Sequence, residues 1–218
     1  MAKKKKGNGV ALWGSLTGVT AVLSAALLKN DNAALPLASG AKVSLFGHGS
    51  VDLMYGGTGS GSVDTSKAPS FKQALESQGI TVNETLWNLY SSDDMMKNYS
   101  RVTPAAISDT LEANTQYAVN EAPWSKLSGA ESSFAEYGDA AIVVLSRSGG
   151  EGADLPSGEN GTSDSWISGQ EGDGNYLALS AEEKELLANL KTLKDNGTFK
   201  KIVVLINSSN AIELDFLN

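Results

Sequence analysis

The chain contains no cysteine and one histidine, His48. The missing thiols exclude disulfides, thiol nucleophiles and cysteine-based zinc sites, and a single imidazole cannot form a histidine-based metalloprotease site. Basic residues number 17 against 25 acidic ones, for a net charge of −8. That excess of negative charge disfavours sequence-independent binding to nucleic acid. We therefore expect no cofactor, no metal site and no nucleic-acid partner.

The rest of the composition is that of a globular protein. The chain has 218 residues, 41% of them apolar and 19% charged, which suits one large domain with a sizeable core. Lys3–Lys6 precede an uncharged run, Val10–Leu28, whose leucines recur at spacings of three and four. Residues 1–25 are thus predicted to form a packing helix, or the remnant of a membrane anchor or export segment. A cytoplasmic location is favoured, and an anchored or exported one stays open.

Strand and helix patterns alternate along residues 26–218. Strands are predicted at 43–47, 80–82, 140–145 and 201–207, and shorter ones at 117–119 and 212–214. Helices are predicted at 68–78, 83–99 and 180–195, with weaker helical patterns at 105–111 and 125–134. Pro69 suits the first turn of the first helix, and Ser180 with Glu183 has the spacing of a capping box at the start of the third. Short apolar strands that alternate with helices predict an α/β fold with a mostly parallel sheet and helices on both faces.

A glycine-rich segment, Gly56–Gly61, follows the first of these strands. It lacks the lysine of a phosphate-binding P-loop and the spacing of a dinucleotide-binding turn. A plain loop, a loop that lines a sugar site and a phosphate-binding loop therefore stay open for this segment. His48, which precedes it, could be a general base, but a histidine between glycines is predicted to be a surface or loop residue. No Gly-x-Ser-x-Gly frame surrounds Ser148, so a hydrolase nucleophile elbow is excluded.

A long acidic loop follows the apolar run Ala140–Leu145. Loops longer than about 12–15 residues are uncommon in compact domains and are often functional. An open α/β sheet binds its ligands beyond the carboxyl ends of the strands, and glycoside hydrolysis needs a pair of carboxyl groups. A solvated loop or a calcium loop are the alternatives, although no EF-hand spacing is present. The loop's carboxylates are Glu151, Asp154, Glu159, Asp164, Glu171 and Asp173.

Five segments in this order resemble the α/β sandwich domain of family 3 glycoside hydrolases, the β-glucosidase family. They read LLKNDNAALPL (27–37), YGGTGSGSVD (55–64), LSRSGGEGADL (145–155), EGDGNYLALSAEEKELL (171–187) and KKIVVLINSSNAIEL (200–214). The resemblance covers 26–218 and implies a three-layer (α/β)6-type sandwich. It also implies a catalytic (β/α)8 barrel, which is absent from this chain. Because Met1 stands just ahead of the sandwich domain, a domain-reversed member, with the barrel after Asn218, is expected.

The resemblance also implies roles for individual residues. Glu171 matches the segment that holds the acid/base, so it is predicted to protonate the glycosidic oxygen and later to deprotonate water. The pocket is predicted to use Arg147, Glu151 and Asp154, which orient sugar hydroxyls or hold the loop. The turn Gly57, Thr58, Gly59 and Ser60 is predicted to form part of the same rim.

These inferences predict the non-barrel domain of a retaining exo-β-glycosidase, a β-glucosidase, that is inactive alone. Its expected partners are a β-linked glucoside or oligosaccharide and the (β/α)8 barrel of the full-length enzyme, and a homo-oligomer stays open. The alternative is a non-catalytic carbohydrate-binding or interaction module of the same fold.

Overall fold

The structure is a computed structural model that describes residues 25–57, 59–103, 117–150 and 176–217. The described residues divide into two units, 25–37 and 38–217. In the first, the Asn30 side chain accepts a hydrogen bond from the Leu35 amide at 2.9 Å and donates one to the Leu35 carbonyl at 3.0 Å. The pair closes a turn around a short 3-10 helix, Asp31–Ala33.

The second unit is an α/β domain. Its strands are β1 (Lys42–Phe46), β2 (Thr81–Val82), β3 (Ala140–Arg147) and β4 (Ile202–Ser208). Its helices are α1 (Phe71–Ser77), α2 (Glu84–Tyr90), α3 (Asp93–Asn98) and α4 (Ala181–Asp195). Short 3-10 helices lie at His48–Ser50, Gly59–Gly61, Trp124–Leu127, Glu131–Ser133 and Asp215–Leu217. In the described residues, none of the helices is long and apolar enough to cross a membrane.

The four strands form one parallel sheet in the order β2-β1-β3-β4. Val43 lies beside Ala140, and Ala141 lies beside Ile202. Every residue of β3 is buried, as expected for a central strand of a parallel sheet covered on both faces. The predicted α/β sandwich with a mostly parallel sheet is therefore confirmed.

The main core lies on one face of the sheet. Phe46, on β1, packs edge-on against Phe134 and Phe199, with ring centroids 5.3 and 5.7 Å apart. Edge-to-face pairs at such distances are favourable because the positive edge of one ring meets the negative face of the other. Helices α2, α3 and α4 add Leu86, Met95 and Leu186 to this cluster. The core therefore holds the carboxyl ends of β1 and β3 in fixed positions.

The helices begin at residues whose side chains cap the first turn. Ser180 and Glu183 form the predicted capping box at the start of α4, with the serine hydroxyl accepting from the Glu183 amide at 3.1 Å. A single helix was predicted over 83–99, and that prediction is wrong. Ser92 has extended backbone angles and caps α3, so the chain forms two short helices.

Other element boundaries also differ from the prediction. Helix α1 begins after its N-cap, Ser70, so Pro69 precedes the helix and does not lie in its first turn as predicted. Residues 117–119 contribute a single antiparallel bridge, Ala118 with Val102, instead of a strand, and 212–214 form no strand. The weak helical pattern at 125–134 gives the two 3-10 helices named above, and 105–111 lies outside the described residues.

Candidate active-site cleft

A cleft of about 540 Å³ opens at the carboxyl ends of β1 and β3. After β1 the chain moves to β2 on one side, and then crosses to β3 on the other side of β1. This reversal is the topological switch point, where the loops after the two neighbouring strands diverge and leave a crevice for ligands. The cleft is lined by residues 51–57 after β1, by Ser148 and Gly149 after β3, and by residues of the 62–73 and 101–103 segments.

The glycine turn and the end of β3 approach each other closely. A β-carbon built on Gly57 would lie 2.8 Å from the carbonyl oxygen of Gly149 and 3.5 Å from the α-carbon of Gly150. The first distance is shorter than real β-carbons tolerate, so this contact requires glycine. The two segments that resemble family loops therefore meet in space, although they stand about ninety positions apart in the sequence.

Two side chains fix the loop that follows β1. Asn207 of β4 accepts from the Met54 amide at 2.6 Å and donates to the Met54 carbonyl at 2.9 Å. The Arg101 guanidinium contacts the Asp52 carboxylate at 3.1 Å, donates to the Asp52 carbonyl and donates to Ser146 Oγ at 3.1 Å. Asp52 and Met54 are thereby bound to the sheet through side chains, which restrains this part of the cleft lining.

The cleft is lined by both polar and apolar side chains. Among the polar ones, Thr103 Oγ1 lies 2.6 Å from Ser148 Oγ. Tyr55, Val63 and Phe71 are among the apolar and aromatic ones. Burial raises the pKa of the Tyr55 phenol, and the Asp52 carboxylate raises it further, so the phenol stays neutral and donates to the Pro69 carbonyl at 2.7 Å. A lining of both kinds suits a sugar, which presents hydroxyls at its edge and C–H groups on its faces.

Arg147, a predicted pocket residue, lies at the end of β3 with a fully buried side chain. Its two terminal nitrogens each donate to Glu183 at 2.7 Å, and it donates to the carbonyls of Tyr176 and Ala178 at 2.8 and 2.6 Å. Such a bidentate pair has a fixed geometry. These contacts hold the segment that follows the acidic loop, and the part of Arg147 in the sugar pocket stays a prediction.

The Tyr176 side chain strengthens the same junction. Its hydroxyl donates to the Ser148 carbonyl at 2.9 Å. Burial raises the pKa of this phenol to about 12, so the hydroxyl keeps its proton at neutral pH. The residues before and after the acidic loop are thereby tied together at its base.

His48 is buried instead of lying at the surface as predicted, although it does lie in the 3-10 helix directly after β1. Its Nδ1 lies 3.1 Å from Glu121 Oε2, and the same oxygen accepts from the His48 amide at 2.8 Å. The other oxygen of Glu121 accepts from the Ala122 amide at 3.0 Å. The histidine does not line the cleft, so its contacts are those of a structural residue that joins two loops.

The predicted site residues fall into four groups. Gly57 lines the cleft, whereas Gly59 and Ser60 lie in a 3-10 helix and are not among the lining residues. Arg147 is buried beneath the end of β3. Four predicted residues lie outside the described residues: Thr58, Glu151, Asp154 and Glu171. Within 25–57, 59–103, 117–150 and 176–217, no group of three or more acidic or histidine side chains could hold a metal ion.

Sequence reasoning missed several residues that build the cleft. Asp52 and Arg101 carry no family motif, yet Asp52 stands just beyond a buried strand, and Arg101 is one of two arginines in the chain. The first of these signals could have pointed to Asp52. Asn207 was predicted only as the end of a strand, and nothing local indicates that its side chain reaches across to Met54.

Comparison with known proteins identifies the fold independently. A β-glucosidase from Paenibacillus barengoltzii is similar over 88% of this chain and 18% of its own, with 24% identity and a TM-score of 0.58. β-Glucosidase 3B from Thermotoga neapolitana, in complex with glucose, is similar over 86% of this chain and 23% of its own, with 24% identity and a TM-score of 0.57. The chain thus spans about a fifth of the length of these solved structures. No curated protein matches it significantly.

The sequence model of one family matches nearly the whole chain. The match extends over residues 25–218, and the model describes the C-terminal domain of glycosyl hydrolase family 3. It includes both the glycine turn and the end of β3, the two parts that meet at the cleft. The chain therefore belongs to the glycosyl hydrolase family 3 C-terminal domain family.

Proposed function

We propose that this chain is the non-barrel domain of a retaining exo-β-glucosidase, that it forms part of the sugar pocket, and that it carries the acid/base loop. The observation that supports this most is the cleft at the switch point, where Gly57 packs against Gly149. The substrate is a β-linked glucoside or oligosaccharide, and the partner is a (β/α)8 barrel that supplies the nucleophilic carboxylate. The similarity to a β-glucosidase solved with glucose supports this choice of sugar.

The reaction needs two carboxyl groups on opposite sides of the glycosidic bond. The nucleophile attacks the anomeric carbon, and the acid protonates the departing oxygen. Water, deprotonated by the same acid/base residue, then releases the sugar from the glycosyl-enzyme. We assign the acid/base role to Glu171 and keep Glu151 as the comparison residue, because it directly follows Gly150 at the cleft in the sequence.

Separation of the domains is the first test. The purified chain should not hydrolyse an aryl β-glucoside, since half of the carboxyl pair is missing. Joined to the barrel of a family member, it should hydrolyse the same substrate. Full-enzyme rates from the chain alone would overturn the proposal. Sugar binding without activity after joining would favour the non-catalytic binding module instead.

Leaving-group dependence then identifies the acid/base. In the joined enzyme, Glu171→Ala should abolish turnover of substrates with poor leaving groups and partly spare activated aryl glucosides, because only the former need a proton. Added azide should restore the rate on activated substrates, since an anionic nucleophile needs no general base. Glu151→Ala is the matched control. If only that variant shows the leaving-group pattern and the azide effect, the acid/base is Glu151.

A further inference from the structure

Asp52 lines the cleft, and its carboxylate is paired with Arg101 yet partly exposed. Its Oδ1 lies 3.1 Å from an Arg101 nitrogen, while its side chain is 36% exposed. The Arg101 side chain is only 10% exposed, and its other contacts go to the Asp52 carbonyl and to Ser146. The arginine is therefore mostly engaged with other protein groups, whereas the carboxylate keeps exposed acceptor capacity at a residue that lines the cleft.

The backbone around Asp52 is fixed as well. The Asp52 amide donates to the His48 carbonyl at 3.1 Å, and Met54, two residues on, is bound by Asn207 on both its amide and its carbonyl. A group that recognises a ligand must be held in place before the ligand arrives, because ordering it later costs binding free energy. Asp52 meets this condition because His48 accepts from its amide, and Arg101 contacts both its carboxylate and its carbonyl.

The surroundings of Asp52 match one kind of ligand. Tyr55 and Phe71 line the same cleft as Asp52, and so do Thr103 and Ser148. With such neighbours, a carboxylate can accept hydrogen bonds from hydroxyl groups while apolar surface covers a ring face. Charge-assisted bonds of this kind are about twice as strong as neutral ones.

From this arrangement we infer that Asp52 accepts hydrogen bonds from hydroxyls of the sugar in the cleft, and that Arg101 is a positioning residue that orients its carboxylate. The inference rests on the proposed function, since the ligand is the glycoside of that same site. It adds a recognition residue that no sequence motif indicates. Arg101 acts through Asp52 and the loop after β1, and does not itself contact the sugar.

Titration of the intact chain with methyl β-D-glucopyranoside, followed by NMR, tests the inference. Asp52→Ala should weaken binding by about tenfold, as expected for the loss of a charged acceptor. Asp52→Asn keeps the shape and one acceptor oxygen, so it should weaken binding less. Asp64→Asn, in the same loop region but outside the cleft lining, is the matched control and should bind as the wild type does.

The role of Arg101 is tested by comparing a variant that loses the positive charge with one that keeps it. Arg101→Gln should weaken sugar binding and speed hydrogen exchange at the amides of Asp52 and Met54, whereas Arg101→Lys, which keeps a cation near Asp52, should recover part of both. Lys97→Gln removes a nearby exposed charge and should change neither. If Arg101 only stabilised the loop, Arg101→Gln would speed hydrogen exchange without weakening sugar binding.

The outcomes separate the inference from the proposed function. If the wild type binds the glucoside and the Asp52 and Arg101 variants bind equally well, the inference is overturned and the proposed function stands. If the wild type shows no binding up to the solubility of the glucoside, the sugar site fails and the inference fails with it. Weaker binding in all variants, controls included, would also overturn it.

Discussion

The two arginines of this chain form ion pairs of opposite kinds. Arg147 and Glu183 are both fully buried and bind in a bidentate geometry, whereas Arg101 and Asp52 meet at the edge of the cleft, with the carboxylate 36% exposed. The first pair joins strand β3 to helix α4. The second joins the loop after β1 to the segment that carries Arg101, and both residues line the cleft. The comparison therefore contrasts an ion pair in the interior with a partly exposed pair, to which we assign a role in ligand positioning.

Breaking the buried pair should lower the free energy of unfolding more than breaking the other ion pairs compared below. Arg147→Met leaves the Glu183 carboxylate buried without its cation, which should lower the free energy of unfolding by about 3–5 kcal/mol. Urea unfolding at pH 7 measures this loss. Arg147→Met combined with Glu183→Leu removes both charges and should regain part of it. If the double variant is less stable than the single one, unpaired charge is not the cause.

The Tyr176 phenol, which lies beside Arg147, should make the stability of the folded protein depend on pH at high pH. Since the folded-state pKa of Tyr176 is about 12 against an ordinary value of 10.0, the folded protein keeps a proton that the unfolded chain loses. Stability should therefore fall between pH 10 and pH 12, by about 2–3 kcal/mol from this group.

Tyr176→Phe should flatten that fall while costing about 1 kcal/mol at pH 7, through loss of the hydrogen bond to Ser148. Urea unfolding as a function of pH checks both effects. Burial also raises the pKa of Tyr90, so Tyr90→Phe is the comparison variant. An unchanged alkaline slope in Tyr176→Phe would contradict the prediction.

The cleft pair should affect stability less than the buried pair. Arg101→Gln removes a pair that is partly open to water and therefore screened, so we expect a loss of about 1 kcal/mol or less in urea unfolding. Its larger effect should be on sugar affinity and on local exchange. A loss as large as that of Arg147→Met would remove the distinction between the two pairs.

A surface pair completes the series. Lys191 and Asp195, one turn apart on α4, lie 2.6 Å apart with both side chains mostly exposed. Because water and salt screen such charges, Lys191→Ala should leave the midpoint of urea unfolding unchanged within error. A shift comparable to that of Arg101→Gln would show that solvent exposure does not determine how much each ion pair contributes to stability.

Local patterns predicted the elements better than the contacts between them. The buried strand at 140–145 was predicted from its apolar run, and the start of α4 from the Ser180–Glu183 capping box, because both signals act within a few residues. The break between α2 and α3 was missed, since Ser92 competes with a continuous helix only through its own backbone angles and cap. The depth of His48 was missed because its partner, Glu121, is 73 positions away.

The sequence by itself determined the fold class, the family and the two segments that meet at the cleft, because periodicity, capping and motif order are local properties of the chain. Only the tertiary structure showed that Arg147 pairs with Glu183 and that Asp52 pairs with Arg101 at the cleft. These contacts join residues tens of positions apart. They depend on strand order, and β1 and β3 become neighbours only when the sheet forms.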